Sequence, residues 1–306
     1  MLTRPSTRTS RRLSTRLAAV VLSGAAALGA ASALPASGSP AGTGTAGTPH
    51  RSVCGSGHLS RNVDVVGLTS DQRLICFRSD RPERARTIAQ VSGLVGDTRL
   101  VGIDVRPANA ALYGLGDQGG IYTVDPGSAV ATKVAQSSAP LRGTSFGVDF
   151  NPAADRLRVI SDVGQNLRIN VDGGAAIVDV DLAYTAGTPA TGVTGAAYTN
   201  NDADPNTGTT LFDVDSTLDQ VAIQSPPNAG SLVATGKLGV DTGTDVAVDI
   251  VSRVRRGTTV ANTAFAALGT SDGSTFHQVD LLTGRATPTG RFARSTVVIG
   301  IAVPQG

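Results

Sequence analysis

The sequence predicts an all-β chain closed into a five-bladed β-propeller, one blade of which is shared between the two ends of the polypeptide. Three observations predict this. Residues 101–116, VGIDVRPANAALYGLG, and residues 146–161, FGVDFNPAADRLRVIS, state one pattern twice. Similar units then recur at periods of about 45 to 53 residues, the length of a four-stranded blade. Finally, the ends complement each other: the chain finishes on a lone strand that looks like the first of a unit, and the folded part begins with three that look like the second, third and fourth. A ring of blades closes in that way, whereas a solenoid would carry atypical caps. Six blades is the alternative count.

Taken in order, residues 1–33 read as a secretory signal peptide. Arg4, Arg8, Arg11, Arg12 and Arg16 form a basic start, Leu17–Leu28 an apolar run softened by Gly24, and Ala31-Ser32-Ala33 a small-residue cleavage site. The run is too short for a membrane span, so no span is expected in the mature chain. Export is expected by the general route or, from Ser10-Arg11-Arg12, by the twin-arginine route, with release from the cell. Residues 34–52, LPASGSPAGTGTAGTPHRS, hold almost no large apolar side chain and read as a disordered spacer. Residues 53–306 are left as one propeller domain, expected to be a monomer.

The whole chain has 26 basic and 24 acidic residues; without the five leader arginines it has 21 against 24, a net of −3. With two lysines and scattered arginines it offers no basic stripe for nucleic acid. Cys54 and Cys76 are the two cysteines, and in an exported chain such a pair suggests a disulfide pinning the start of the domain.

The first complete unit reads LVGIDVRP, ALYGLGD, GIYTVDP and ATKVAQ, separated by the turn sequences PANA, DQGG and DPGS. The second reads FGVDFNP, RLRVISD, NLRINVD and AIVDVDL. The third reads VTGAAYT, TTLFDVD, QVAIQSP and SLVATGK, its first turn enlarged to NNDADPNTG. The fourth reads TDVAVDIV, TAFAALGT, TFHQVDL and ATPTGRF, with SRVRRGTTVAN taken as a long first turn. TVVIGIAVP is the lone last strand; VDVVGLTSDQ, RLICFRSD and RARTIAQV open the domain. Glu83–Arg86 reads as one loose turn.

The pattern in GIDVRPANAALYGLG and GVDFNPAADRLRVISDVGQNLRINVDGG resembles the uncharacterised exported bacterial family called domain of unknown function 4394. The likeness extends over residues 62–304. It implies an exported, propeller-like domain and brings no catalytic residue with it.

Asp104, Asp149 and Asp249 occupy one place in three units, where the others carry Ala197 and Ala302. First strands line a propeller's axis, so the three carboxyl groups are expected to converge there. They would hold a hard cation such as Ca²⁺, act as an acid beside an ionised partner, or accept backbone N–H groups from a neighbouring blade. Asp162, Gln165, Asn166 and Arg168 form a polar set at the SDVGQN turn that would suit a polar ligand. Asp202 and Asp204 partly imitate a calcium loop without its closing glutamate. Gly143-Thr144-Ser145-Phe146-Gly147 and Gly269-Thr270-Ser271-Asp272-Gly273 match a nucleophile elbow in letters but lack the helix that must follow. His50, His58 and His277 are too scattered for a zinc site. No cofactor is evident beyond calcium. The expectation is a secreted binding or interaction module for an extracellular partner, a saccharide or other cell-surface ligand, and more a binder than an enzyme. A glycoside-type hydrolase using the axial aspartates and a purely structural extracellular protein are the alternatives.

Overall fold

The computed structural model describes residues 62–304 except 203 and 205. The leader, the spacer, His50, His58 and Cys54 lie outside the described residues. Twenty strands form five four-stranded antiparallel sheets. Blade 1 is β1 (Asp64–Thr69), β2 (Arg73–Arg78) and β3 (Arg81–Gln90), completed on the inside by β20 (Val298–Ala302). Blade 2 is β4 (Leu100–Arg106), β5 (Ala111–Gly116), β6 (Gly120–Val124) and β7 (Ala131–Gln136). Blade 3 is β8 (Phe146–Asn151), β9 (Arg156–Ser161), β10 (Asn166–Ile169) and β11 (Ala176–Val178). Blade 4 is β12 (Val193–Tyr198), β13 (Leu211–Asp215), β14 (Gln220–Gln224) and β15 (Leu232–Lys237), with one 3₁₀ turn at Pro227–Ala229. Blade 5 is β16 (Val246–Arg255), β17 (Thr258–Thr270), β18 (Gly273–Val279) and β19 (Ala286–Arg291).

The ring closes as the complementary ends require. Strand β20 pairs antiparallel with β1, Val66 opposite Ala302 and Leu68 opposite Gly300. The five innermost strands then neighbour one another in a circle: β4 beside β8, β8 beside β12, β12 beside β16, β16 beside β20, and β20 beside β4.

Each gap between blades is filled by one apolar cluster, so there are five cores rather than one. Their side chains are mostly Val, Ile, Leu and Ala. The seam between blades 5 and 1 is the aromatic one, where Phe77, Phe265, Phe276 and Phe292 stack or meet edge to face at 4.9–6.0 Å between ring centres. Such pairs add about 0.5–1.5 kcal/mol each beyond the area they bury, and they sit where the ends of the folded chain are joined.

Glycine sets how tightly the ring closes. Gly102, Gly147, Gly195 and Gly300 take one position on four inner strands, and Ala247 takes the fifth. A β-carbon on Gly102 would lie 2.5 Å from Val148 Cγ2, on Gly147 2.7 Å from the Ala196 nitrogen, and on Gly195 2.9 Å from Val248 Cγ1. In each case the obstruction belongs to the next blade. The turns use side-chain chemistry: Asp125 Oδ1 accepts the N–H groups of Gly127 and Ser128, and Asp280 Oδ1 those of Leu282 and Thr283, at the same place in two blades.

Two local expectations need correction. Glu83–Arg86 lies inside strand β3 rather than in a turn: Arg86 pairs with Cys76 and Arg81 with Arg78, and the residues between them form an irregularity in the ladder. Residues 252–262 are mostly strand: β16 and β17 run on as a ribbon and reverse at Arg256-Gly257, whose φ angles of 53° and 79° suit a two-residue hairpin turn.

Candidate functional site

The inner strands are edge strands, and an edge leaves N–H groups without ladder partners. Asp104, Asp149 and Asp249 supply acceptors for those groups. Asp104 Oδ1 accepts its own neighbour's N–H, from Val105 at 2.7 Å, and Oδ2 accepts that of Phe150 on the next blade at 2.7 Å. Asp149 Oδ2 accepts Tyr198 N–H across the next gap at 2.8 Å. Asp249 accepts Ile250 N–H and, across the closing gap, Val303 N–H, both at 2.6 Å. Val105, Phe150, Tyr198, Ile250 and Val303 are the same position on all five inner strands. Three aspartates therefore satisfy five N–H groups with six oxygens. Where a blade carries alanine instead, at Ala197 and Ala302, the aspartate of the following blade turns back to its own neighbour. One oxygen is left over: among the described residues, Asp149 Oδ1 has no hydrogen-bond donor.

The three residues do converge, with one oxygen of each within 4.8 Å of the others. All are buried, at 6 %, 3 % and 3 % exposure for Asp104, Asp149 and Asp249. Burial is the main cause pushing all three carboxyls up. Asp249 is raised to about 7; Asp104 is raised further by the Asp249 charge and Asp149 by both of its partners. Above this level the axis is lined by Gly102, Ile103, Val148, Ala196, Val248 and Ile301, and its free space is about 10 Å³, the lower limit for a single water. A sugar ring does not reach these acids from that side.

The axis opens at the end where the inner strands begin. A recess of about 70 Å³ is lined there by Ser70, Arg99, Thr144, Ser145, Thr244 and Asp245 over a floor that includes Val101 and Phe146. Four blades contribute. A second recess of about 460 Å³, lined by Asp241, Thr242, Gly243, Thr270 and Ser271, shares Thr244 and Asp245 with the first. Among the described residues, the side chains of Arg99, Ser145, Asp241, Thr244, Asp245 and Ser271 make no hydrogen bond or ion pair within the chain. Residue type alone did not point to this mouth. The position just before each inner strand, read across the units, was the available signal.

The remaining candidates are occupied inside the protein. Asp162 accepts Thr144 N–H and Oγ1–H at 2.9 and 2.7 Å. Gln165 accepts Arg142 N–H and donates to the Pro140 carbonyl. Asn166 accepts from Arg158 and donates to the carbonyls of Val180 and Pro227, and Arg168 is held bidentate by Asp179 at 2.7 and 2.8 Å. The SDVGQN segment thus ties loops together, and its centre is Arg158, a residue with no role in the sequence reading. Its side chain is 1 % exposed and reaches Asp179 at 2.7 Å, Asn166, Asn228 and Tyr198. Asp202 accepts N–H and O–H of Thr259, and Asp204 caps Asn206, so the enlarged turn is docked onto β17. Among the described residues the axial triad alone gathers three metal-ligand side chains. His277 is buried beside Thr275 at 2.8 Å, and burial lowers its pKa. Ser145 precedes strand β8 and Ser271 lies in a turn between strands, so neither is a nucleophile elbow.

A family model described as Domain of unknown function (DUF4394) matches residues 73–302. No curated protein matches the chain. Among solved structures, a structural genomics protein of unknown function from Bacteroides thetaiotaomicron is 12 % identical at a TM-score of 0.42, over 79 % of this chain and 66 % of that one. An auxiliary nutrient binding protein from the same organism is 12 % identical at 0.42, over 78 % and 63 %. TolB from Acinetobacter baumannii is 13 % identical at 0.39, over 80 % and 67 %. The chain spans just under two thirds of the first two, and at these scores the likenesses carry no argument about function.

Proposed function

The chain belongs to the family described as Domain of unknown function (DUF4394), a description that assigns no activity, and we propose that it is an exported, non-catalytic binding module whose ligand, a saccharide, docks at the mouth of the axis. One observation carries this reading: the two adjoining recesses gather carboxylates, hydroxyls and the Arg99 guanidinium that the fold leaves unused. Paired carboxylate and guanidinium groups suit the vicinal hydroxyls of a sugar, because both bind bidentate. Phe146 in the floor offers an apolar face to the C–H side of a ring.

The hydrolase alternative loses ground on the same geometry. Glycoside hydrolysis needs two carboxyl groups flanking the bond that breaks, and here the converging acids are closed off from the mouth and engaged with backbone N–H groups. The experiment is calorimetry of the mature protein against a panel of cell-surface oligosaccharides, beside the variants Arg99→Ala and Asp245→Asn. Binding that both variants weaken about tenfold or more, with melting unchanged, is expected. Binding indifferent to both, or no binding across the panel, refutes the proposal. Export is tested with it: the amino terminus of protein recovered from culture medium is expected to follow Ala33.

A further inference from the structure

We propose that the axial triad of Asp104, Asp149 and Asp249 is a binding site for one hard divalent cation of the Ca²⁺ class, separate from the ligand mouth. Four observations converge on it. Carboxylate oxygens bind Ca²⁺ at about 2.3–2.6 Å, so oxygens sharing one ion lie no more than roughly 4.6–5.2 Å apart. The three aspartates already meet that limit, at 4.8 Å or less. The protein supplies no counter-charge: among the described residues no arginine, lysine or histidine forms an ion pair with any of the three. The donor set suits carboxylates rather than carboxylic acids. Five N–H groups point at five oxygens at 2.6–2.8 Å, shorter than the usual 2.9–3.0 Å and typical of a charged acceptor.

The fourth observation is independent of the cluster's composition. Asp149 Oδ1 belongs to a residue only 3 % exposed and accepts no hydrogen bond among the described residues, while Oδ2 of the same carboxyl accepts one from Tyr198. The five inner-edge N–H groups at the level of the triad are already committed to the other five oxygens, so none of them is left for it. Its carboxyl is repelled by both of its neighbours. A cation satisfies this oxygen and offsets the mutual repulsion of the three. All offered ligands are oxygen and none is nitrogen or sulfur, which selects a hard cation over zinc or copper. The ion would tie β4, β8 and β16 together at the centre of the ring.

The test uses the full mature protein, purified and treated with EDTA. Metal content is measured before treatment, and CaCl₂ is then titrated by calorimetry, with MgCl₂ and NaCl as comparisons. One Ca²⁺ per chain is expected. At a hundredfold excess over Kd, melting rises by about 5–10 °C. Asp149→Asn is the decisive variant. Its amide oxygen keeps the Tyr198 bond and its amide N–H₂ replaces the unpartnered oxygen, so the fold is kept while Ca²⁺ affinity falls about tenfold or more. Asp241→Asn with Asp245→Asn leaves Ca²⁺ binding unchanged. Neutralisation by protons alone would show as no bound metal, no heat of binding and no response of melting to EDTA or CaCl₂, and overturns the proposal. Loss of binding in the mouth double variant, or full binding in Asp149→Asn, overturns it as well. Saccharide binding at the mouth is a separate readout, so the failure of either proposal is distinguishable from that of the other.

Discussion

Gly102→Ala isolates the claim that the inner ring is closed by the absence of a methyl group. The added β-carbon would sit 2.5 Å from Cγ2 and 2.8 Å from Cβ of Val148, against an optimal carbon–carbon separation of about 3.5–4.0 Å. Roughly 1 Å must be found. Val148 cannot simply retreat, because its strand is held on the far side, where it packs so close to blade 4 that a β-carbon on Gly147 would lie 2.7 Å from the Ala196 nitrogen. Overpacking of this kind costs about 1–3 kcal/mol. Removing a glycine from the unfolded chain returns about 0.4–1 kcal/mol, which leaves a net loss near 1–2 kcal/mol. For a domain of this size that lowers melting by about 2–8 °C, read by calorimetry or circular dichroism. Gly173→Ala is the control, since a β-carbon there meets nothing within 4 Å; it is expected to be neutral or slightly stabilising. The cause is checked by a cycle with Val148→Ala, which should couple to Gly102→Ala by about 1 kcal/mol or more. A Gly102→Ala protein as stable as the parent, or strictly additive effects in the cycle, refutes the reasoning.

Arg158→Met strands Asp179, Asn166 and Asn228 around a lost guanidinium and is expected to cost about 3–5 kcal/mol in urea denaturation. Arg158→Lys should fail to restore it, because one ammonium group cannot span the four partners; full rescue by lysine would contradict the network. Asp213 has neither oxygen hydrogen-bonded, and burial raises its pKa against the pull of Arg158, with Tyr184 and Asp215 as its other titratable neighbours. Its contribution to stability is whole below the ordinary value of 3.8 and is lost as pH climbs through the raised one. Asp213→Asn should therefore gain on the parent in melting temperature from pH 4 to pH 8, and a constant difference across that range refutes this. Cys54 and Cys76 are expected to appear as one linked peptide under non-reducing mass mapping, with reduction costing about 3 kcal/mol; two alkylatable thiols in the native protein would end that expectation.

The architecture could be read from the sequence because a propeller writes its geometry as repetition. The equivalent residues Asp104, Asp149 and Asp249 mark the first strands, and TVVIGIAVP had no partner except the opening segment. What was hidden was hidden by departures from the repeat. The residue opposite the axial position is Tyr113, Phe212 and Phe265 in blades 2, 4 and 5, Val66 in blade 1 and Arg158 in blade 3. Aligning the units would have exposed that odd arginine, but its polarity alone suggested surface. The same bias made Gln165 and Asn166 look like ligand groups, although both are buried and spent. Arg256-Gly257 was swallowed into a long turn because charged residues obscured the alternation of a projecting ribbon. The axial triad could be anticipated as a cluster, but not its accounting of five donors to six acceptors, since that depends on which strand lies beside which.

Strand β20 is the last stretch of this domain to be synthesised and the first wall of its interior. A ribosome that has delivered residues only as far as β19 has released four whole blades and three quarters of a fifth, with apolar faces bare on either side of the gap. Such a product has nothing to close against except another like itself. A stop codon just before Val298 should thus yield tangled oligomers rather than a slightly smaller protein.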